Sequence, residues 1–127
     1  MRFQFLMFIF LLGVVACSKP NATIEVHRQM VAIESAMIEQ YNTGQTALEQ
    51  GGVIKLAVDK ITEIDVSQCP TDYQKTWDEL IDLWEKWQLA LEKGDTKQAA
   101  TLSTQSPAKA EALFKIAQRE GFEPAGK

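Results

Sequence analysis

Six large apolar residues, Tyr73, Trp77, Leu80, Trp84, Trp87 and Leu91, recur at intervals of 4, 3, 4, 3 and 4. Only an α-helix keeps that spacing on one stripe; in a strand the odd intervals would throw neighbours onto opposite faces. A stripe this heavy has to be buried against other helices, so it fixes the fold class before anything else is read. Pro70 suits the first position of this helix and Asp72 in its first turn complements the dipole. Gly94 stops it.

The rest of the chain supplies the partners. Val26, Met30, Ile33, Met37, Tyr41, Gly44 and Leu48 form a helical stripe over Thr23 to Gln50, widened by Ile24, Val31 and Ile38. Asn42-Thr43-Gly44 is a possible break, and Gly51-Gly52 is expected to end the helix. Ile54, Ala57, Ile61 and Ile64 predict a shorter helix over Val53 to Ile64; its β-branched content makes a strand the alternative, but no second strand is available to pair with it. Asp95 caps a further helix with Gln98 three residues on, as in a capping box. Pro107 is expected to kink or split that helix near Ser106. Ala110, Leu113, Phe114 and Ala117 continue its inner face to Gly121. The expected architecture is all-α, an up-and-down bundle of about four helices over residues 23–122, with a short tail at 123–127.

The start of the chain obeys different rules. From Phe3 to Val15 the sequence F-Q-F-L-M-F-I-F-L-L-G-V-V has one polar residue, preceded by the single positive charge of Arg2. Thirteen helical residues span about 20 Å, too short for a hydrocarbon core of roughly 30 Å, and the pattern reads as a cleaved secretory signal. Val14-Val15-Ala16-Cys17, at the end of this run, resembles the lipobox of bacterial membrane lipoproteins. The resemblance implies a signal peptide at 1–16 and a diacylglycerol thioether on Cys17. It also implies acylation of the freed amine and a short tether at 17–22. Each buried CH₂ is worth about 0.8 kcal/mol, so three chains anchor permanently. Ser18, where members of that family held in the inner membrane tend to carry Asp, points to an outer membrane facing the periplasm if the cell has two membranes.

Composition narrows the function classes. The 127 residues carry 13 basic and 17 acidic side chains, a net charge of −4 with no basic cluster, which argues against a nucleic-acid partner. Two cysteines and one histidine exclude a disulfide scaffold and a thiolate zinc site. No motif names a nucleophile, a base and an orienting group together, so no enzyme, catalytic residue or cofactor is expected.

The residues able to carry chemistry are few. His27, on the border of an apolar stripe, is expected as a polar edge residue; haem ligation with Met30 or Met37 is disfavoured because all three share one helix. Cys69 becomes the sole free thiol if Cys17 is acylated, and is expected to pack beneath the connection before Pro70, with Val66 and Tyr73 folded over it. Trp77, Trp84 and Trp87 are expected in the core rather than in a cation-binding aromatic pocket. Asp78, Asp82 and Glu85 share one face and are expected to be solvated rather than to ligate a metal. Glu34 lies between Val31 and Ile38, with no second carboxylate assignable to it. The segment Ile64 to Tyr73, with Trp77 and Trp84, is similar to a stretch in small exported helical proteins of uncharacterised activity, which implies a helical fold and no activity. The functional expectation is a lipid-anchored envelope module that binds a protein partner or is structural, joined to the membrane through Cys17. The alternative is a small-ligand, metal or haem carrier built inside the bundle.

Overall fold

The computed structural model describes residues 21–124; the expected signal peptide at 1–16, Cys17 and the last three residues lie outside them. The described residues form four helices and no strand: α1 (Ala22–Thr43), α2 (Ala47–Thr62), α3 (Thr71–Glu92) and α4 (Thr96–Arg119). They make a helical bundle, as the spacing predicts. None of these helices is long and apolar enough to cross a membrane.

α3 is the hub. Tyr73, Trp77, Leu80, Trp84, Trp87 and Leu91 are all buried, and α3 packs most extensively against α4 and then α2. Trp84, at the middle of the seam, donates its indole N–H to Ser106 Oγ of α4 at 2.9 Å. A buried indole usually finds such a partner, and here the hydroxyl is supplied from within a helix. Trp87 lies against Tyr41 of α1, ring centroids 5.0 Å apart, and its N–H has no partner among the described residues.

Two turns that orient the helices come from glycine. After α3, Gly94 takes φ 76°, Gly94 N–H donates to Leu91 O and Asp95 N–H to Ala90 O. After α4, Gly121 takes φ 106°, with Gly121 N–H on Gln118 O and Phe122 N–H on Ala117 O. Both are Schellman closures, which need a residue without Cβ strain in the left-handed region. The first turns α4 back along α3, and Asp95 then caps α4 through Gln98 N–H. The second folds Phe122 back into the core.

Several sequence expectations are corrected. Gly51-Gly52 does not end a helix: the break falls at Gly44–Thr46, and both glycines lie inside α2. Thr46 Oγ1 accepts from Glu49 N–H, and the Glu49 carboxylate accepts from Gln45 N–H, so a new helix starts there. Gly51 lies close against Leu91 of α3, and this packing offsets its low helix propensity of about 1 kcal/mol. Pro107 does not split α4, which runs unbroken through it. Proline sits on the exposed face, while Leu102, Ser106 and Leu113 on either side are held by α3. Val31 and Ile38, 38% and 48% exposed, do not widen the buried stripe of the first helix, and Leu48, 72% exposed, does not belong to it. Breaking the helix at Gly44 carries Leu48 onto α2, and α1 turns a narrower face inward. A further correction, His27, belongs to the site. α1 also begins at Ala22, one residue early, because Asn21 accepts from Thr23 N–H as its cap. Pro70 stands just before α3 rather than as its first residue.

Candidate functional site

α1 and α4 run side by side but meet sparsely, and a groove of about 960 Å³ lies along their seam. Its walls are His27, Met30, Val31 and Glu34 of α1, and Ala110, Glu111 and Phe114 of α4. Phe122, Glu123 and Pro124, turned back by Gly121, close one end. The spacing 27, 30, 31, 34 places the α1 residues on one stripe. That volume falls within the ordinary range for small-molecule sites, roughly 300–1,000 Å³.

His27 is buried, 1% exposed, and not the edge residue the sequence suggests. Three aromatic rings surround it: Phe122 edge-on at 4.7 Å, Tyr73 edge-on at 6.0 Å and Phe114 at 6.1 Å. Its Nδ1 is 2.9 Å from the Tyr73 hydroxyl. Burial drops the imidazole pKa to about 4 and raises that of the Tyr73 phenol, so both are neutral at pH 7. Between a neutral imidazole and a phenol, the phenol is the stronger donor; Tyr73 O–H donates to Nδ1 and the imidazole proton resides on Nε2. No described residue accepts from Nε2.

Glu34 is half-buried beside apolar walls, and desolvation raises its pKa. Among the described residues it has neither an ion-pair nor a hydrogen-bond partner. The other charges around the groove are engaged or exposed: Arg28 pairs with Glu25, Glu111 with Lys115 at 3.8 Å, and Glu123 faces solvent. Three carboxylates against one guanidinium leave the groove acidic.

Cys69 is buried, as expected, between Val66, whose carbonyl accepts its N–H at 2.9 Å, and buried Tyr73. Burial pushes the thiol pKa up; the nearby Thr23 hydroxyl pulls it down, and the charges of Asp65 and Glu120 push it up again. The helix start does not yield a thiolate here. Trp77, Trp84 and Trp87 are core residues remote from the groove walls. Asp78, Asp82 and Glu85 are exposed, and Asp82 pairs with Lys86 at 2.9 Å. Their face also carries Lys75 and the Glu79–Lys109 pair at 2.8 Å, so its charges alternate. No cluster of three or more His, Cys, Asp or Glu side chains among the described residues is placed to hold a metal.

The groove itself escapes sequence reasoning. Its floor depends on Phe122, beyond the end of α4, returning to His27 near the start of α1. The one available signal is the stripe that joins His27 to Glu34 through Met30 and Val31. Compared with family models, curated proteins and solved structures, the chain matches none.

Proposed function

We propose that this chain is a lipid-anchored binding module of a bacterial cell envelope, held by Cys17 and binding a small ligand in the α1–α4 groove. The groove carries the reading: a cleft of small-molecule size whose largely apolar walls hold a half-buried carboxylate without a partner among the described residues and an unused imidazole N–H. The lipobox-like Val14-Val15-Ala16-Cys17 supports the anchor, and Ser18 supports an outer-membrane position facing the periplasm in a two-membrane cell. A protein partner is the second reading. It is favoured by Val31 and Ile38, two apolar side chains one heptad apart that α1 leaves in solvent.

Metabolic labelling with palmitate tests the anchor. Label enters the wild type and is absent from Cys17→Ser, which accumulates as precursor; equal labelling of both removes the lipoprotein reading. Mass spectrometry of molecules retained by the chain purified from its own membrane tests the groove. A small molecule held by the wild type is lost when Ala110→Trp fills the cleft. If nothing small is retained and a photocrosslinker at Ile38 captures one protein, the partner reading replaces it.

A further inference from the structure

Two polar groups of the groove wall are withdrawn from solvent, and both lie on α1. Glu34 and His27 are seven residues apart, which in a helix is two turns and about 10.5 Å along the axis. Met30 and Val31 occupy the stretch between them, with Phe114 across the cleft on α4. A ligand lying along this stripe therefore meets a carboxylate at one end, apolar and aromatic surface in the middle, and an imidazole at the other end.

Each end has a defined demand. A carboxylate half-withdrawn from water with no cation beside it is poorly solvated, and a positively charged group restores what burial removed. Glu123 adds to the negative potential at the mouth, while Glu111 is paired with Lys115 and Arg28 is already turned to Glu25. At the other end, Nδ1 is used by Tyr73, so Nε2–H is left for an acceptor. The faces of Phe114 and Phe122 favour an organic cation or an aromatic body over a hydrated metal ion.

Taking the groove as the binding site proposed above, we infer that its ligand is an organic amine about 10 Å long: its ammonium pairs with Glu34, its apolar body lies on Met30, Val31 and Phe114, and its far end meets His27. An inorganic cation offers nothing to the apolar middle, and a fatty acid places its carboxylate in an acidic cleft.

Three probes of matched length and different head group separate these possibilities: 4-phenylbutylamine, 4-phenyl-1-butanol and 4-phenylbutyrate. Each is titrated against the full chain in zwitterionic phospholipid nanodiscs, with empty discs subtracted. The amine binds at least ten-fold more tightly than the alcohol, and the butyrate binds weakest. Glu34→Gln keeps the shape and removes the charge; it weakens the amine about ten-fold and leaves the alcohol unchanged. Asp82→Asn, on the remote face, changes neither. Near-ultraviolet circular dichroism of the buried tryptophans confirms that each variant is folded. Equal affinity for amine and alcohol, or undiminished amine binding in Glu34→Gln, overturns the assignment of a cationic ligand. If none of the three binds while the membrane-purified chain still retains a small molecule that Ala110→Trp loses, the cationic class fails and the groove reading stands. If Ala110→Trp loses nothing either, both fail.

Discussion

α4 faces two neighbours, and the two seams are closed in different ways. Against α3 it meets Leu80 and Trp84, answers the indole N–H with Ser106, and fills the space with Leu102 and Leu113. Against α1 it meets aromatic rings only near one end, around His27, and beyond that leaves a cleft with an unpaired glutamate in its wall. The first seam answers its buried indole from within, which makes it a stability element, and the cleft of about 490 Å³ on its outer side is walled by charges such as the Glu79–Lys109 pair. The second leaves polar groups unsatisfied at a cost to the fold, the pattern expected where binding rather than packing sets the residues. The difference teaches where to look: a bundle this small has the means to close every seam, and it closes only some.

Trp84→Ala breaks the closed seam and has the largest expected effect. Removing a fully buried indole costs about 3–5 kcal/mol and also strands the Ser106 hydroxyl. The denaturant midpoint falls sharply, while Glu85→Ala next to it, fully exposed, leaves the midpoint nearly unchanged. Equal midpoints for the two variants would erase the contrast between the seams.

Acid probes the other seam. His27 has a folded pKa of about 4 against an ordinary 6.5, so between those values the unfolded chain binds a proton that the folded chain refuses. Stability rises with pH through that window and is lost as pH falls from 6.5 towards 4, by about 3 kcal/mol in the limit. Glu34, with its raised pKa, acts in the opposite direction as it takes up a proton on acidification. Melting temperatures at pH 7, 6 and 5 decline in the wild type, and the decline flattens in His27→Leu. An unchanged slope in that variant would assign the acid sensitivity to other groups, though not to Asp72, whose lowered pKa acts only at more acidic pH.

The smallest effect is expected at Cys69, which touches neither seam's chemistry. Alkylation of the native protein is slow and becomes rapid in denaturant. Cys69→Ser costs less than about 1 kcal/mol, because the Thr23 hydroxyl beside the thiol serves the new hydroxyl as well. A disulfide-linked species from native membranes, lost in Cys69→Ser, would give the thiol a role that its burial argues against.

The closed seam was legible from the sequence and the open one was not. Six residues at alternating 4 and 3 spacing leave one helical solution, so α3 and its burial follow from local geometry. Gly51 and Pro107 misled because their costs are local while their compensation is tertiary: Gly51 is held against Leu91, and Pro107 is flanked by residues fastened to α3. His27 misled for the same reason. Its place depends on Tyr73, Phe114 and Phe122, three residues from other parts of the chain, and on the positive φ of Gly121 that brings the last of them home. Cys69 was legible because its burial follows from the short turn between Val66 and Tyr73.

The ring cage around His27 also sets an order of events in the life of the chain. α3 and α4 are joined by a tight turn and can pair as soon as both have been made. α1 is made before either of them, yet its contacts with the last helix span the molecule: Asn21 and Glu120, joined side chain to side chain, are 99 residues apart. Domains generally fold as units during synthesis, and contacts of long sequence separation form last. The seam between α1 and α4 is thus expected to be the last to close, although α1 can pack on α2 as soon as both are made. Until Phe114 and Phe122 emerge, Val26 and Met30 have nothing from α4 to lie against, and the ring cage around His27 stays open.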